Sequence, residues 1–425
     1  MLHAEHPSVR PLLLKGCFGL ERESLRVDEA GFLAQTDHPF ADDEHIVRDF
    51  CENQTEINTP VCAGAAEAVA ALRACDRRMQ QALKRLPRRE YLWPFSNPPY
   101  IRSEADVPIA RFYGGQADKT AYREYLSDRY GRYKMTLSGI HVNYSFAEEL
   151  LRADFALSGE SDFDAYRDRL YVALAEQAAA YGWLLVAVTA ASPLMDSSFV
   201  EKGTFDGDTF TGMASVRCGE MGYWNSFAPV FDYSDVRAYA DSIQRYVDDG
   251  LLRFPTELYY PVRLKPRGQN RLDTLREQGV DHIELRMVDL NPLVPGGLEP
   301  RDLVFAQMFL VWLASVPGVK LAARDQVQAV QNFKNAARYD LKTVKILLPD
   351  GAVCPVADAA LQVLERMEAF YRDFPEEPRE VLAFQRAKFE DAENRYAWKI
   401  RRAYGGGFVK KGMELARQRQ EEADV

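Results

Sequence analysis

Four short stretches carry acidic, imidazole and guanidinium side chains at strand-like spacing. In Gly19-Leu20-Glu21-Arg22-Glu23-Ser24-Leu25-Arg26-Val27 two glutamates stand two residues apart. On a strand that spacing points both to one face, about 7 Å apart. Ser138–Phe146 sorts into Gly139, His141, Asn143 and Ser145 on one face and Ile140, Val142, Tyr144 and Phe146 on the other. His282–Leu290 sets His282, Glu284 and Arg286 against Ile283, Leu285 and Met287. The fourth stretch, Asp49–Pro60, holds three acids and three amides in a segment that reads as extended. Strict alternation puts Asp49 and Glu56 on opposite faces, so a bulge or bend must intervene if both serve one site.

Each stretch has a plain alternative: a solvated Glu-Arg-Glu strand, a polar edge strand, a satisfied structural histidine, an acid–arginine pair on a wet sheet face. Taken together they offer five acids (Glu21, Glu23, Asp49, Glu56, Glu284) and His141 on polar strand faces. Oxygen-rich sets with little sulfur suit magnesium or manganese better than zinc. Unit charges 4 Å apart interact by about 4 kcal/mol at an effective dielectric near 20. Bound cations would relieve that repulsion. Arg286 adds a fixed fork of donors suited to carboxylate or phosphate.

The elements that must position these residues alternate between strand and helix. Asp28–Gly31 reads as a turn, with residues 32–35 returning as a hairpin partner. Residues 45–61 read as extended, and 63–86 as an Ala-rich helix closed by Pro87. The three prolines in 93–100 mark a rigid loop. A short helix at 122–130 leads into an extended run at 134–146. Residues 162–191 read as one long helix, apolar all round in its second half. The Gly-, Ser- and aromatic-rich 196–230 reads as a long loop over a site. A helix at 234–249 and strands at 259–265 and 282–290 follow. From 301 the chain reads as almost wholly helical, near 301–316, 324–339, 357–373 and 378–403. The expected class is α+β, with residues 1–316 a sheet-and-helix unit and 317–425 a helical portion packed on the same domain.

Composition narrows the function classes. A 425-residue chain with 47% hydrophobic and 27% charged residues is of ordinary globular type. A net charge of −10 argues against nucleic acid as a partner. Cysteines 17, 51, 62, 75, 218 and 354 lack zinc-type spacing and read as reduced thiols. His, Glu and Pro within the first 15 residues argue against a signal peptide, and the most apolar run, Leu303–Val316, is too short to span a bilayer. A cytoplasmic protein with no membrane partner is the expectation.

The four stretches, in this order, resemble glutamate–cysteine ligase (γ-glutamylcysteine synthetase), the first enzyme of glutathione synthesis. Trp93-Pro94, Arg129-Tyr130-Gly131, Ala191-Ser192-Pro193 and Gly222-Tyr223 fit the same pattern. The resemblance covers about residues 16–316 and is closest to the bacterial branch, including the N-terminal half of bifunctional glutathione-making enzymes. It includes no second, ATP-grasp half, so only the first reaction is implied.

The resemblance implies a glutamine-synthetase-like fold: a curved antiparallel sheet forming a cup, with helices outside. It implies that Glu21, His141 and Glu284 hold one Mg2+ (or Mn2+) on the phosphates of ATP. Glu23, Asp49 and Glu56 would hold another near the glutamate γ-carboxylate, and Arg286 would meet the transferring phosphoryl group. Phe50, Arg217, Tyr223 and Tyr259 fall at the cysteine pocket, although Tyr223 and Tyr259 also read as core aromatics. The substrates implied are glutamate, cysteine and ATP. A ligase for another acceptor amine, or a non-catalytic nucleotide-binding relative, stays open. Gly405-Gly406-Gly407 with Lys410 and Lys411 reads either as a hinge ending a helix or as a nucleotide-side loop, without Walker spacing.

Overall fold

The computed structural model describes residues 1–40, 43–201 and 207–423. In chain order the strands are β1 (Gly16–Val27), β2 (Ile46–Arg48), β3 (Gln54–Asn58), β4 (Cys62–Ala63), β5 (Tyr91–Leu92), β6 (Gly139–Phe146), β7 (Met195–Asp196), β8 (Asp208–Thr209), β9 (Val262–Lys265), β10 (His282–Asp289), β11 (Lys345–Leu347) and β12 (Val353–Pro355). The helices are α1 (Ala65–Lys84), α2 (Ala117–Tyr130), α3 (Glu148–Ser158), α4 (Phe163–Tyr181), α5 (Trp183–Thr189), α6 (Val236–Asp248), α7 (Leu272–Gln278), α8 (Pro300–Ser315), α9 (Ala323–Ala336), α10 (Val356–Phe370), α11 (Glu376–Glu390), α12 (Tyr396–Tyr404) and α13 (Phe408–Glu422).

The architecture is α+β around one antiparallel sheet of order β2-β3-β1-β6-β10-β9, with β4 and β5 also pairing with β1. Alternation along β1 and β6 decides which way each strand faces. Phe18 and Leu20, with Ile140, Val142, Tyr144 and Phe146, enter the main core, against which α1, α4 and α5 pack. Arg22, on that same side of β1, bonds Ser24 and pairs with Asp76 of α1, so it is a structural arginine. The 93–100 loop fastens the strand ends. Ser96 accepts from Ser138 N through its carbonyl and from Leu290 N through its hydroxyl, both at 2.8 Å.

Several elements differ from expectation. Residues 45–61 form a hairpin: β2 turns through Asp49–Asn53 and returns as β3, with Asp49 N bonded to Gln54 O and Gln54 N to Cys51 O. Residues 32–35 return along β1 through a single bridge, Val27–Leu33, and a bond from Ala34 N to Arg26 O. The first α-helix after the prolines starts at Ala117, and a 3-10 turn at Lys134–Thr136 precedes β6. The expected long helix at 162–191 is two, α4 and α5, bent by 58°. A Cβ at Gly182 would come within 2.5 Å of Ala178 O and 2.8 Å of the Phe333 ring, so glycine there lets α9 press into the joint.

The C-terminal portion is not wholly helical. β11 and β12 form a hairpin, and Gly351 takes φ +87° just past Pro349-Asp350. The expected helix at 378–403 is broken between α11 and α12, where the Asp391 carboxylate accepts from Glu393 N and draws the chain out of helical conformation. α13 was not foreseen as a separate helix. It begins at Gly407, where the Asp208 carboxylate accepts from Gly407 N and Phe408 N, both at 2.8 Å. The Gly405–Gly407 run thus separates α12 from α13, and the first amides of α13 are capped by a side chain. Core residues from both the sheet and helices α9–α11 belong to one hydrophobic cluster. All six cysteines are free. Among the described residues no single helix is long and apolar enough to cross a membrane; α4 and α5 reach that composition only as a bent, buried pair.

Candidate active site

Strand register brings the first three residues together. Glu21 on β1 lies opposite His141 on β6, and Glu284 on β10 lies opposite Asn143 on β6. Glu21 Oε2 is 2.9 Å from His141 Nδ1, and Asn143 Nδ2 donates to Glu21 Oε1 at 3.0 Å. His141 Nδ1 is 3.8 Å from Glu284 Oε1. One ligand atom from each of Glu21, His141 and Glu284 lies within 4.8 Å of the other two. Burial, helped by Arg286, lowers the His141 pKa to about 4, so the imidazole is neutral at pH 7. Burial alone would raise the Glu284 carboxyl, but Arg286, Lys265 and His141 hold it well below the carboxylate range. Its Oε2 is buried without a hydrogen bond among the described residues, 3.3 Å from Lys265 Nζ.

The second group is looser. Glu23 and Glu56 face each other across β1 and β3. The 49–53 turn returns Asp49 to the Glu56 side, because Val47 already opposes Glu56 and Asp49 lies two residues on. Glu23 Oε2 accepts from Gly139 N at 2.9 Å. Burial, then Asp49, pushes the Glu23 carboxyl up to about 8. Burial raises Asp49, and burial together with Asp49, Glu21 and Glu23 raises Glu56 well above its ordinary value. These are three carboxyls short of counter-charge. The structure gathers them on one side of the sheet without bringing them as close as the first trio.

Arg286 lies where β10 breaks register. Leu285 opposes Val142 but Val288 opposes Ile140, so an extra residue is inserted there. Arg286 Nη1 donates to Glu284 Oε1 at 2.8 Å. The same bulge returns Asp289 to the polar side. There it accepts from Ala191 N, Ser192 Oγ and Ser215 Oγ at 2.9, 2.7 and 3.0 Å, tying the 191–192 segment to the one that carries Arg217.

Arg286, Glu23 and Asp49 line a cavity of about 190 Å³ that also takes in Phe50, Arg217, Tyr223 and Tyr259. All four residues expected at a substrate pocket are thus on one wall system. The Tyr223 and Tyr259 rings are 5.5 Å apart, and the Tyr223 hydroxyl donates to Leu137 O at 2.9 Å. Arg217 is buried and engaged: Nη2 is 2.9 Å from His141 Nε2, Nη1 donates to Arg286 O, and among the described residues Nε has no partner. A Cβ at Gly139 would meet the Arg217 guanidinium at 2.4 Å, so the glycine in Ser-Gly-Ile-His makes room for this arginine.

Sequence reasoning passed over Lys265 and Arg123. Lys265 pairs with Glu284, and Arg123 Nε donates to Asp49 O at 2.6 Å while lining the cavity. Both are single cations with no local pattern; only the excess of acids on the polar face hinted that cations had to come from elsewhere.

The family model described as glutamate–cysteine ligase matches residues 2–254 and 228–336. The glutathione biosynthesis bifunctional protein of Listeria monocytogenes is 35% identical over 393 residues, 89% of this chain and 50% of that protein. That of Clostridium perfringens is 32% identical over 375 residues, 85% of this chain and 48% of that protein. The chain spans about half the length of the curated relatives it matches. Among solved structures, a glutamate–cysteine ligase of Francisella tularensis in complex with AMP has the same fold, with a TM-score of 0.86 at 24% identity over 96% of this chain and 89% of that one. A bifunctional glutathione synthetase of Pasteurella multocida gives 0.84 at 25% identity, over 98% of this chain and 54% of that one. With the family model matching well over half of its length, the chain belongs to the glutamate–cysteine ligase family.

Proposed function

We propose that the chain joins the γ-carboxylate of L-glutamate to the amine of L-cysteine at the expense of ATP, through a γ-glutamyl phosphate, as the first step of glutathione biosynthesis. The observation that carries this reading is that Arg286, bonded to one corner of the Glu21–His141–Glu284 trio, also lines the cavity that holds Arg217, Tyr223 and Tyr259. Family membership and the AMP-bound solved relative support it.

A carboxylate is a poor electrophile. The γ-phosphoryl group of ATP first bonds to a γ-carboxylate oxygen, and ADP leaves with the electrons of the broken P–O bond. The acceptor amine then bonds to the acyl carbon, sheds a proton, and phosphate departs. The first transfer asks for positioning and charge neutralisation. The residues fit divalent cations: an O,N,O trio with a neutral imidazole and a buried Glu284 oxygen that lacks a hydrogen bond among the described residues, and beside it three carboxyls short of counter-charge. In this reading Glu21, His141 and Glu284 hold one Mg2+ and Glu23, Asp49 and Glu56 a second, with Mn2+ able to replace either. When bound, such cations offset phosphate charge and lessen repulsion between the two anionic reactants. Among the described residues Arg286 makes its side-chain hydrogen bonds through Nη1 alone, which leaves Nε and Nη2 for the phosphoryl oxygens. The Phe50, Tyr223 and Tyr259 rings wall the space for a small side chain and keep water from the acyl phosphate.

A second reading, a γ-glutamyl ligase for a different amine, is favoured by one feature. Both Nη atoms of Arg217, the expected partner of the cysteine carboxylate, are already engaged. ADP release with glutamate, ATP and a panel of amines decides between them. Cysteine is expected to give the highest kcat/KM; preference for an amine without an α-carboxylate would replace it, and no amine-dependent ADP release would end the ligase reading.

A further inference from the structure

Behind the aromatic wall lies a buried carboxylate that serves neither the acid groups nor Arg286. Glu257, at 0% exposure, sits in the loop leading to Tyr259. It accepts from the Tyr130 hydroxyl at 2.7 Å, the Tyr125 hydroxyl at 3.1 Å and Arg253 N at 2.7 Å, and pairs with Arg129 Nε at 3.1 Å. Its backbone carbonyl accepts from Asn225 Nδ2 at 3.0 Å, and Asn225 Oδ1 accepts from Tyr259 N at 2.8 Å. Asn225 Nδ2 also reaches the Tyr130 hydroxyl at 3.3 Å. Three segments distant in sequence are thereby joined: the end of α2, the 223–225 loop and the 253–259 loop.

Each segment delivers one ring to a continuous stack. Tyr130 meets Tyr259 edge-on at 5.3 Å, and Tyr259 meets Tyr223 at 5.5 Å. Arg217 lies over Tyr223, 5.7 Å from its centroid. The stack ends at the cavity, where the Tyr223 hydroxyl is tied to Leu137 O, whereas Glu257, Asn225 and Tyr130 are not among the cavity's lining residues. Aromatic pairs of this kind add little beyond their burial and tolerate sliding. A charge-assisted bond to a buried carboxylate is stronger and directional, so it sets where the rings stop. Burial pushes the Tyr130 phenol up, which keeps its proton available for donation to the carboxylate.

We propose that Glu257, with Asn225 and Tyr130, is a positioning brace that sets the width of the acceptor pocket and so its selectivity for a small amino-acid side chain. The brace rests on the ligase reading above for what the pocket takes, but not on which amine is preferred. A misplacement of about 1 Å of groups that orient a reactant can change rates by about 10², and the brace acts on one reactant only.

The test compares Glu257→Gln and Tyr130→Phe with the parent, using the amine that the parent ligates best. Expected are a rise in KM for that amine of about ten-fold or more, KM values for ATP and glutamate within about two-fold of the parent, and a loss of discrimination against larger amino acids such as methionine. The double variant should be little worse than either single one, because one change removes the charge and the other the donor of the same Tyr130–Glu257 bond. Equal changes in all three KM values, or a lowered Tm with unchanged selectivity, would overturn the brace and leave Glu257 a merely structural residue. Should Glu257→Gln fail to fold, Tyr130→Phe, which keeps the ring, decides alone. Should the parent ligate no amine, the ligase reading falls separately, and calorimetric titration of cysteine into parent and variants decides the brace: weaker binding by the variants sustains it and equal affinities overturn it.

Discussion

Arg286 combines a fixed anchor with donors that have no partner among the described residues: Nη1 is tied to Glu284 and the guanidinium borders the cavity. Lysine would keep the charge but lose the planar fork. Arg286→Lys is expected to lower kcat by about 10²–10³, the usual cost of removing one preorganised donor, with KM for ATP and glutamate near the parent values in steady-state assays. Near-normal turnover with weakened binding would instead give Arg286 a ground-state role. Gly139 makes a companion case, because its missing side chain is filled by the Arg217 guanidinium. Gly139→Ala should displace Arg217 from His141 and depress activity more than it depresses Tm. At this scale the sequence was readable wherever polar faces were periodic, as for Glu21, Glu23, His141 and Glu284. Lys265, Arg123 and Glu257 act through partners far away in sequence, and no local pattern marks them.

Two strand irregularities do the work that regular alternation cannot. The turn at 49–53 returns Asp49 to the Glu56 side, and the insertion after Leu285 returns Asp289 to the polar side. The need for a bend was legible from the position of Asp49 relative to Glu56; its form as a hairpin was not, because Cys51-Glu52-Asn53 carries no Gly or Pro. The C-terminal breaks were marked more plainly. Pro349-Asp350-Gly351 is a turn signal between two expected helices, and Asp391 is a capping residue that helical periodicity overrode. What holds α11 and α12 to α8 is equally a matter of contact. Asp302 of α8 accepts from Lys388 Nζ at 3.0 Å, Gln385 Nε2 at 2.8 Å and the Tyr396 hydroxyl at 2.9 Å, all buried. Burial pulls the Lys388 pKa down to about 8. Lys388→Met would leave Asp302 buried without its cation and should cost about 3–5 kcal/mol in denaturant titrations. Lys388→Met with Asp302→Asn should cost less than the sum of the two single changes.

Over the whole molecule the acidic balance of −10 has a local counterpart in the three carboxyls that face one another without enough cations. This sets how the fold responds to pH and to metal. The Glu23 carboxyl is raised to about 8 in the fold from an ordinary value of 4.5, first by burial and then by Asp49. Between those pH values the folded chain holds a proton there that the unfolded chain has lost. Stability must then fall as pH rises through the window, by up to about 1.4 kcal/mol per unit for one such group. Asp49 and Glu56 are shifted in the same direction. EDTA-treated protein is therefore expected to lose Tm steadily from pH 5 to pH 8. Excess Mg2+ should restore more at pH 8 than at pH 6, because a cation that binds only the folded chain stabilises it by mass action and does so best when the carboxyls are ionised. Glu23→Gln should flatten the pH dependence of the EDTA-treated protein and shrink the Mg2+ effect together. A Tm that rises across this range without metal, or a Mg2+ shift independent of pH, would mean that the three carboxyls are compensated within the protein and hold no cation.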